Sequence, residues 1–165
     1  MINYMASLKT SIKNNYKKIL TLVALILFFV YAMQLRRNAT HTDIKIGQNT
    51  IYAQIADTKN KQSMGLSYTK DLATSTGMLF IFDEIDEKNF WMKDMNYDLD
   101  IIWIDESKTV TGFFERVPTD SYNKKNPEQS KIYHSPENTK YVLEVPANTI
   151  KNLKIKVGDV LDFKY

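Results

Sequence analysis

With 165 residues, 44% of them hydrophobic and 25% charged, the chain is long enough for one domain and too apolar for wholesale disorder. It has no cysteine, which excludes a disulfide, a thiol nucleophile, a Cys-ligated zinc site and a lipid-modified N-terminal cysteine. The net charge of +3 is unevenly placed: residues 1–40 carry six of the 22 basic groups and no acid, so residues 41–165 set 16 basic groups against all 19 acids, and no nucleic-acid partner is expected.

Residues 1–18 read as a basic cytoplasmic leader. Ile2, Met5, Leu8 and Ile12 recur at helical spacing, and Lys9, Lys13 and Lys17 stand four apart. Residues 19–35 are a nearly unbroken apolar run. As a helix it would be roughly 25 Å long, the short end for a bilayer span. Four lysines precede the run and Arg36 and Arg37 follow it, a bias that keeps the N-terminus in the cytoplasm and sends the rest across. The expectation is a single-pass signal-anchor helix in the cell membrane, with the C-terminal domain extracytoplasmic. Cleavage after Val30-Tyr31-Ala32, giving a secreted protein, is the alternative. Residues 36–42 form a polar tether. Its Asn38-Ala39-Thr40 has the glycosylation pattern but lies too near the membrane for use.

From residue 43 the pattern turns to period two, which predicts strands. Ile44 to Ile46 and Ile51 to Ala56 flank a turn at Gly47-Gln48-Asn49. Asp57 or Thr58 caps a short helix that ends at Met64, before Gly65. Gly77 to Phe82 is a continuous apolar run and predicts a buried strand. Phe90 to Lys93 predicts another. Leu99 to Ile104 is apolar on both faces and predicts a central strand. A strand over 109–117 leads to the polar stretch Pro118 to Pro136, whose length marks it as functional or mobile. Tyr141 to Val145 predicts a strand, Asn148 caps a helical turn through Leu153, and one or two strands over 155–163 close the domain. The fold class expected is mainly β (α+β): a small antiparallel barrel or sandwich with one or two short helices, preceded by the transmembrane helix.

Three runs carry a family resemblance: Gly77-Met78-Leu79-Phe80-Ile81-Phe82, Phe90-Trp91-Met92-Lys93 and Leu99-Asp100-Ile101-Ile102-Trp103-Ile104-Asp105. Met64-Gly65-Leu66 precedes them; Tyr141-Val142-Leu143-Glu144-Val145 and Val157-Gly158-Asp159 follow. In this order they resemble domain-of-unknown-function family 192, over nearly all of residues 43–163. The resemblance implies a compact β-barrel-like domain, often carried behind an export signal or membrane helix, and implies no activity. The chain departs from the family pattern at Asp94-Met95, where an Asn-Thr pair is usual, at Asp98, where proline is usual, and near Asn148, where glycine is usual.

The candidate binding residues are Trp91, Lys93, Asp100, Glu144 and His134. On a strand, Trp91 and Lys93 share one face and Phe90 and Met92 the other. Trp91 beside Lys93 makes either a stacking and cationic patch for a glycan or anion, or a covered sheet edge with a lysine neutralising an acid. Asp100, inside an apolar strand, needs a partner, and Lys93 across the turn is the expected one. Glu144 is opposite in parity to Tyr141, Leu143 and Val145, and so faces water or joins that cluster. His134 is the one histidine of the domain outside the tether, and one histidine builds no conventional zinc site. No Gly-x-Ser-x-Gly elbow is present. No catalytic residue, metal or cofactor is assigned. The reading is a membrane-tethered ligand-binding or assembly module of the cell envelope, taking an envelope glycan, a small anion or a membrane protein. The alternatives are an envelope hydrolase using Asp100 and Glu144 with Lys93 or His134 assisting, and a purely structural protein.

Overall fold

Leu99–Ile104 is apolar on both faces, and all six of its residues are buried. A strand of that kind needs cover on both sides of its sheet. The structure, a computed structural model, describes residues 16–31, 33 and 40–165. The chain divides into two compact units, Met1–Ala39 and Thr40–Tyr165.

The second unit is mainly β sheet with a few short helices. Its strands are β1 (His41–Ile46), β2 (Asn49–Ala56), β3 (Thr76–Ile81), β4 (Asn89–Phe90), β5 (Leu99–Ile104), β6 (Val110–Val117), β7 (Tyr133–His134) and β8 (Tyr141–Pro146). Six of them form one sheet in the order β1-β2-β3-β8-β5-β6, and β4 pairs with β7 in a separate ribbon. β1 and β2 make a hairpin whose turn uses Gly47 at φ 58°, the positive φ that a two-residue loop requires. The expected tether overlaps β1: His41 and Thr42 lie in the strand, and Thr42 Oγ1 donates to the Lys164 carbonyl at 2.6 Å.

Two expectations of architecture are corrected. The sheet is not a closed barrel, because β1 and β6 do not pair with each other. Residues 155–163 form no regular strand either; they meet the two edges at the bridges Lys45–Asp162 and Thr109–Val160 and through backbone bonds of Val110 with Gly158 and Asp159. The sheet is mostly antiparallel, as expected, with β2 and β3 alone running parallel. The 57–75 crossover between them, which includes the helix Lys59–Met64, makes that pairing possible. That helix begins and ends as its sequence predicts: Thr58 accepts from the Lys61 N–H, and Gly65 stops it at φ 52°.

Strand alternation sorts the core. Met78, Phe80, Ile101, Trp103, Val142 and Glu144 share one face; Leu79, Asp100, Ile102, Leu143 and Val145 share the other. Leu66, Met92 and Tyr133 pack over the first face. The second is covered from the C-terminal segment, where Phe163 meets Tyr141 edge-on at 5.2 Å. Gly77 is the tight point of β3. A Cβ there would sit 2.5 Å from the Glu144 carbonyl oxygen. Gly77→Ala is therefore expected to cost about 2–4 kcal/mol of stability through forced strand separation, read from a denaturant melt. A cost below about 0.5 kcal/mol would mean the two strands yield freely.

In the first unit, residues 16–31 are helical. Among the described residues no helix is long and apolar enough to cross a membrane. Most of the predicted leader, and residues 32, 34 and 35 of the predicted span, lie outside the described residues.

Candidate functional site

The site grows from the first sheet face. An edge-to-face aromatic series runs along it: Phe80–Phe90 at 4.9 Å, Phe90–Trp103 at 5.5 Å, Trp103–Phe114 at 6.2 Å and Phe114–Tyr133 at 5.0 Å. Trp103 at its middle is 2% exposed. At its outer end the series opens into a cleft of about 280 Å³. Phe80, Phe82 and Phe90 form one wall with Trp91. Met64 and Leu66 come from the end of the Lys59–Met64 helix and the loop after it, and Met95 from the turn before β5.

Hydrogen bonds hold the two walls together. Ser67 Oγ donates to the Lys93 carbonyl at 2.8 Å, and the Tyr68 N–H to the Asp94 carbonyl at 3.0 Å. The Tyr68 hydroxyl donates to Asp94 Oδ2 at 2.8 Å, and this bond holds the Asp94 carboxyl below its usual range. Asn96 Nδ2 donates to the Thr69 carbonyl at 2.7 Å, and the Tyr97 and Thr69 hydroxyls bond to each other.

Glu144 stands at the floor. It sits in β8 between Met78 of β3 and Ile101 of β5, and it is 5% exposed. Burial alone pushes its carboxyl up to about 8, with no charged or hydrogen-bonding neighbour among the described residues to offset it. A buried polar group without a partner is costly, and this one reaches the cleft surface. Trp91, 49% exposed, and Lys93 stand at the rim; Lys93 forms no ion pair among the described residues.

The structure thus brings three of the five sequence candidates together: Trp91, Lys93 and Glu144. The alternation is as expected, with Met92 buried and Trp91 and Lys93 outward, although only Asn89–Phe90 is a strand. Asp100 is elsewhere. It projects from the opposite sheet face and accepts backbone N–H groups from Arg116 (2.8 Å), Asn148 (3.2 Å) and Ile150 (2.8 Å). The expected Lys93 partnership is therefore wrong: three backbone donors already satisfy the carboxylate. Asn148 occupies the cap position of the helix Thr149–Leu153 with φ 72°, but its side chain makes no cap bond. Asp100 does that work from the neighbouring strand β5. An Asp100/Glu144 catalytic pair is ruled out by the same geometry, since the sheet separates the two groups. His134 is exposed on the β4–β7 ribbon, its Nδ1 2.9 Å from Glu87 Oε1, and lies outside the cleft.

Sequence reasoning missed Met95, Gln62 and Asn89 as cleft residues. One signal was available: Met64-Gly65-Leu66, Phe80 with Phe82, Phe90-Trp91 with Lys93, and Glu144 all belong to blocks that carry the family resemblance, and they converge here.

A family model described as "Uncharacterized ACR" matches residues 41–163. The chain belongs to domain-of-unknown-function family 192. Members of the wider group similar to it include a UPF0127 protein of Thermococcus gammatolerans, 24% identical over 112 residues, which are 68% of this chain and 66% of that protein. A UPF0127 protein of Thermococcus kodakarensis is 24% identical over 110 residues, 67% of this chain and 63% of that one. The match thus spans slightly less than two thirds of these relatives' length. A crystal structure from Sinorhizobium meliloti, described as a candidate transcription regulator, is 27% identical with a TM-score of 0.64, over 74% of this chain and 92% of that one. Another, of a protein of unknown function from Novosphingobium aromaticivorans, has 22% identity and a TM-score of 0.62, over 74% of this chain and 83% of that one, a likeness of fold. The family domain begins where β1 begins, so all of the cleft residues lie within it.

Proposed function

We propose that this family 192 domain is a small-ligand-binding module and that the cleft between Met64, Trp91 and Glu144 is its site. The observation that carries the reading is Glu144, a buried carboxyl without an internal partner at the floor of an open cleft with one aromatic wall. Such pockets, largely apolar with a few convergent polar groups, are the usual form of a ligand site. At about 280 Å³ the cleft suits a fragment-sized ligand or one end of a larger one. The aromatic wall and the exposed Trp91 suit a ligand with an apolar face.

Trp91→Ala separates binding from folding. Trp91 is 49% exposed, so the substitution is expected to change stability by less than about 1 kcal/mol while weakening binding in the cleft at least about tenfold, as a lost stacking contact of roughly 1.4 kcal/mol would. Equal affinity of the wild type and the variant would remove the cleft from consideration.

The domain is held at a membrane, in this proposal, by the apolar run 19–35, with the leader in the cytoplasm and the cleft outside. A helix apolar on every side, as the described part of that run is, needs lipid or a larger protein to cover it. Alkaline washing of host membranes, with sequencing of the protein's N-terminus, decides between the two topologies. Retention in the membrane with the leader intact is expected. Release with a new N-terminus near Met33 would show cleavage instead.

A further inference from the structure

Glu144 also bears on the charge of the ligand. The groups facing it are uncharged: Met78 and Ile101 on the flanking strands, and the aromatic wall of the cleft. The titratable neighbour is Tyr97, whose phenol is raised by its own burial and secondarily by the field of Glu144. Lys93 stands at the mouth, exposed, where water and salt screen it. Asp71 also raises the Tyr97 phenol, and it does not line the cleft. The floor therefore offers one acid in a low-dielectric setting with aromatic faces beside it. Aromatic faces attract cations, and a buried carboxylate gains most from an opposite charge brought into contact.

Resting on the reading of the cleft as a ligand site, we propose that it takes a small organic cation, an ammonium group on an apolar body, with the ammonium against the Glu144 carboxyl and the body against Phe80, Phe90 and Trp91. With no cation beside it, burial favours the protonated form of this carboxyl at neutral pH. Entry of the cation reverses this. The carboxyl gives its proton to solvent, the carboxylate pairs with the ammonium, and the net charge of the floor stays neutral. Binding is thus coupled to release of about one proton. A neutral alcohol would take only a hydrogen bond from the acid and release none. An anion would hold the proton in place and find only the exposed, solvent-screened Lys93 to answer its charge.

Calorimetric titration of the full chain in detergent at pH 6.5 tests this with three probes of similar shape: benzylammonium, benzyl alcohol and benzoate. Two buffers of different ionisation enthalpy report proton release. Benzylammonium is expected to bind at least tenfold more tightly than the other two, with about one proton released, and Glu144→Gln to lose both the preference and the release. Trp91→Ala is expected to weaken benzylammonium binding while leaving its proton release in place. Tighter binding of benzyl alcohol or benzoate, or benzylammonium binding without proton release, would overturn the cationic class while leaving the cleft as a ligand site. NMR spectra of the same three mixtures report the Trp91 indole, and if no probe moves its resonance the cleft reading fails as well.

Discussion

Glu144→Gln is expected to abolish a fall in stability that the wild-type chain shows between about pH 5 and pH 8. The carboxyl is raised by burial from its ordinary 4.5 to about 8 in the folded chain. Between those values the folded state holds a proton that the unfolded state has lost. Stability then falls as pH rises, because the slope follows the protons bound by the unfolded state minus those bound by the native one. The contribution is fully present below the unfolded value and is gone once pH passes the folded one. Its whole size is on the order of 3–5 kcal/mol, an upper bound that relaxation around the group reduces. Glutamine has nearly the shape of the protonated acid and does not titrate. Wild type and variant should match near pH 5, and the variant should be the more stable near pH 8. Denaturant melts read by tryptophan fluorescence measure the difference, in which other titrating groups cancel. Parallel curves from pH 5 to 8 would mean that Glu144 is solvated or paired.

Asp100→Ala is expected to cost about 3–4 kcal/mol, because it leaves the buried Ile150 N–H and the half-buried Arg116 and Asn148 N–H groups without their acceptor. Oδ1 serves Arg116 and Asn148 at the edge of β6 and the start of the last helix, and Oδ2 serves Ile150. One side chain thus ties three sequence-distant segments to β5. Asp100→Asn should fall between, at about 2 kcal/mol. Its oxygen can keep the Arg116 and Asn148 bonds, but its NH₂ then faces the Ile150 N–H, donor against donor. Chemical denaturation of the three proteins gives the order wild type, Asn, Ala. An Asn variant as stable as wild type would contradict the assignment of Asp100 as a backbone tie.

These two carboxylates also show what was legible in the sequence. The apolar runs Gly77–Phe82 and Leu99–Ile104 announced buried strands because both of their faces are covered, and the Thr58–Gly65 helix announced its caps. Parity correctly set Glu144 on the face away from Leu143 and Val145. It failed to place Glu144 in a cleft floor, because the cover on that face comes from loop segments 65–72 and 92–97, which carry no periodic signal. The partner chosen for Asp100 was wrong for a related reason. Lys93 is near in sequence, whereas the true donors are backbone groups 16, 48 and 50 residues away, and any residue type presents a backbone N–H. The strand expected over Phe90–Lys93 stops at Phe90 because its partner β7 is two residues long and Asp94 turns the chain at φ 55°.

The most direct test of the cleft as a ligand site is an NMR screen of the full-length protein with small amines, acids and neutral compounds, following the indole N–H signals. Only Trp91 and Trp103 contribute to these, and a Trp91→Phe sample assigns them. The expected result is that binding compounds move the Trp91 signal together with the Met64 and Met95 methyls, and that Glu144→Leu abolishes the effect. Compounds that bind with Trp91, Met64 and Met95 unmoved would place the ligand site elsewhere and leave the cleft as part of the core.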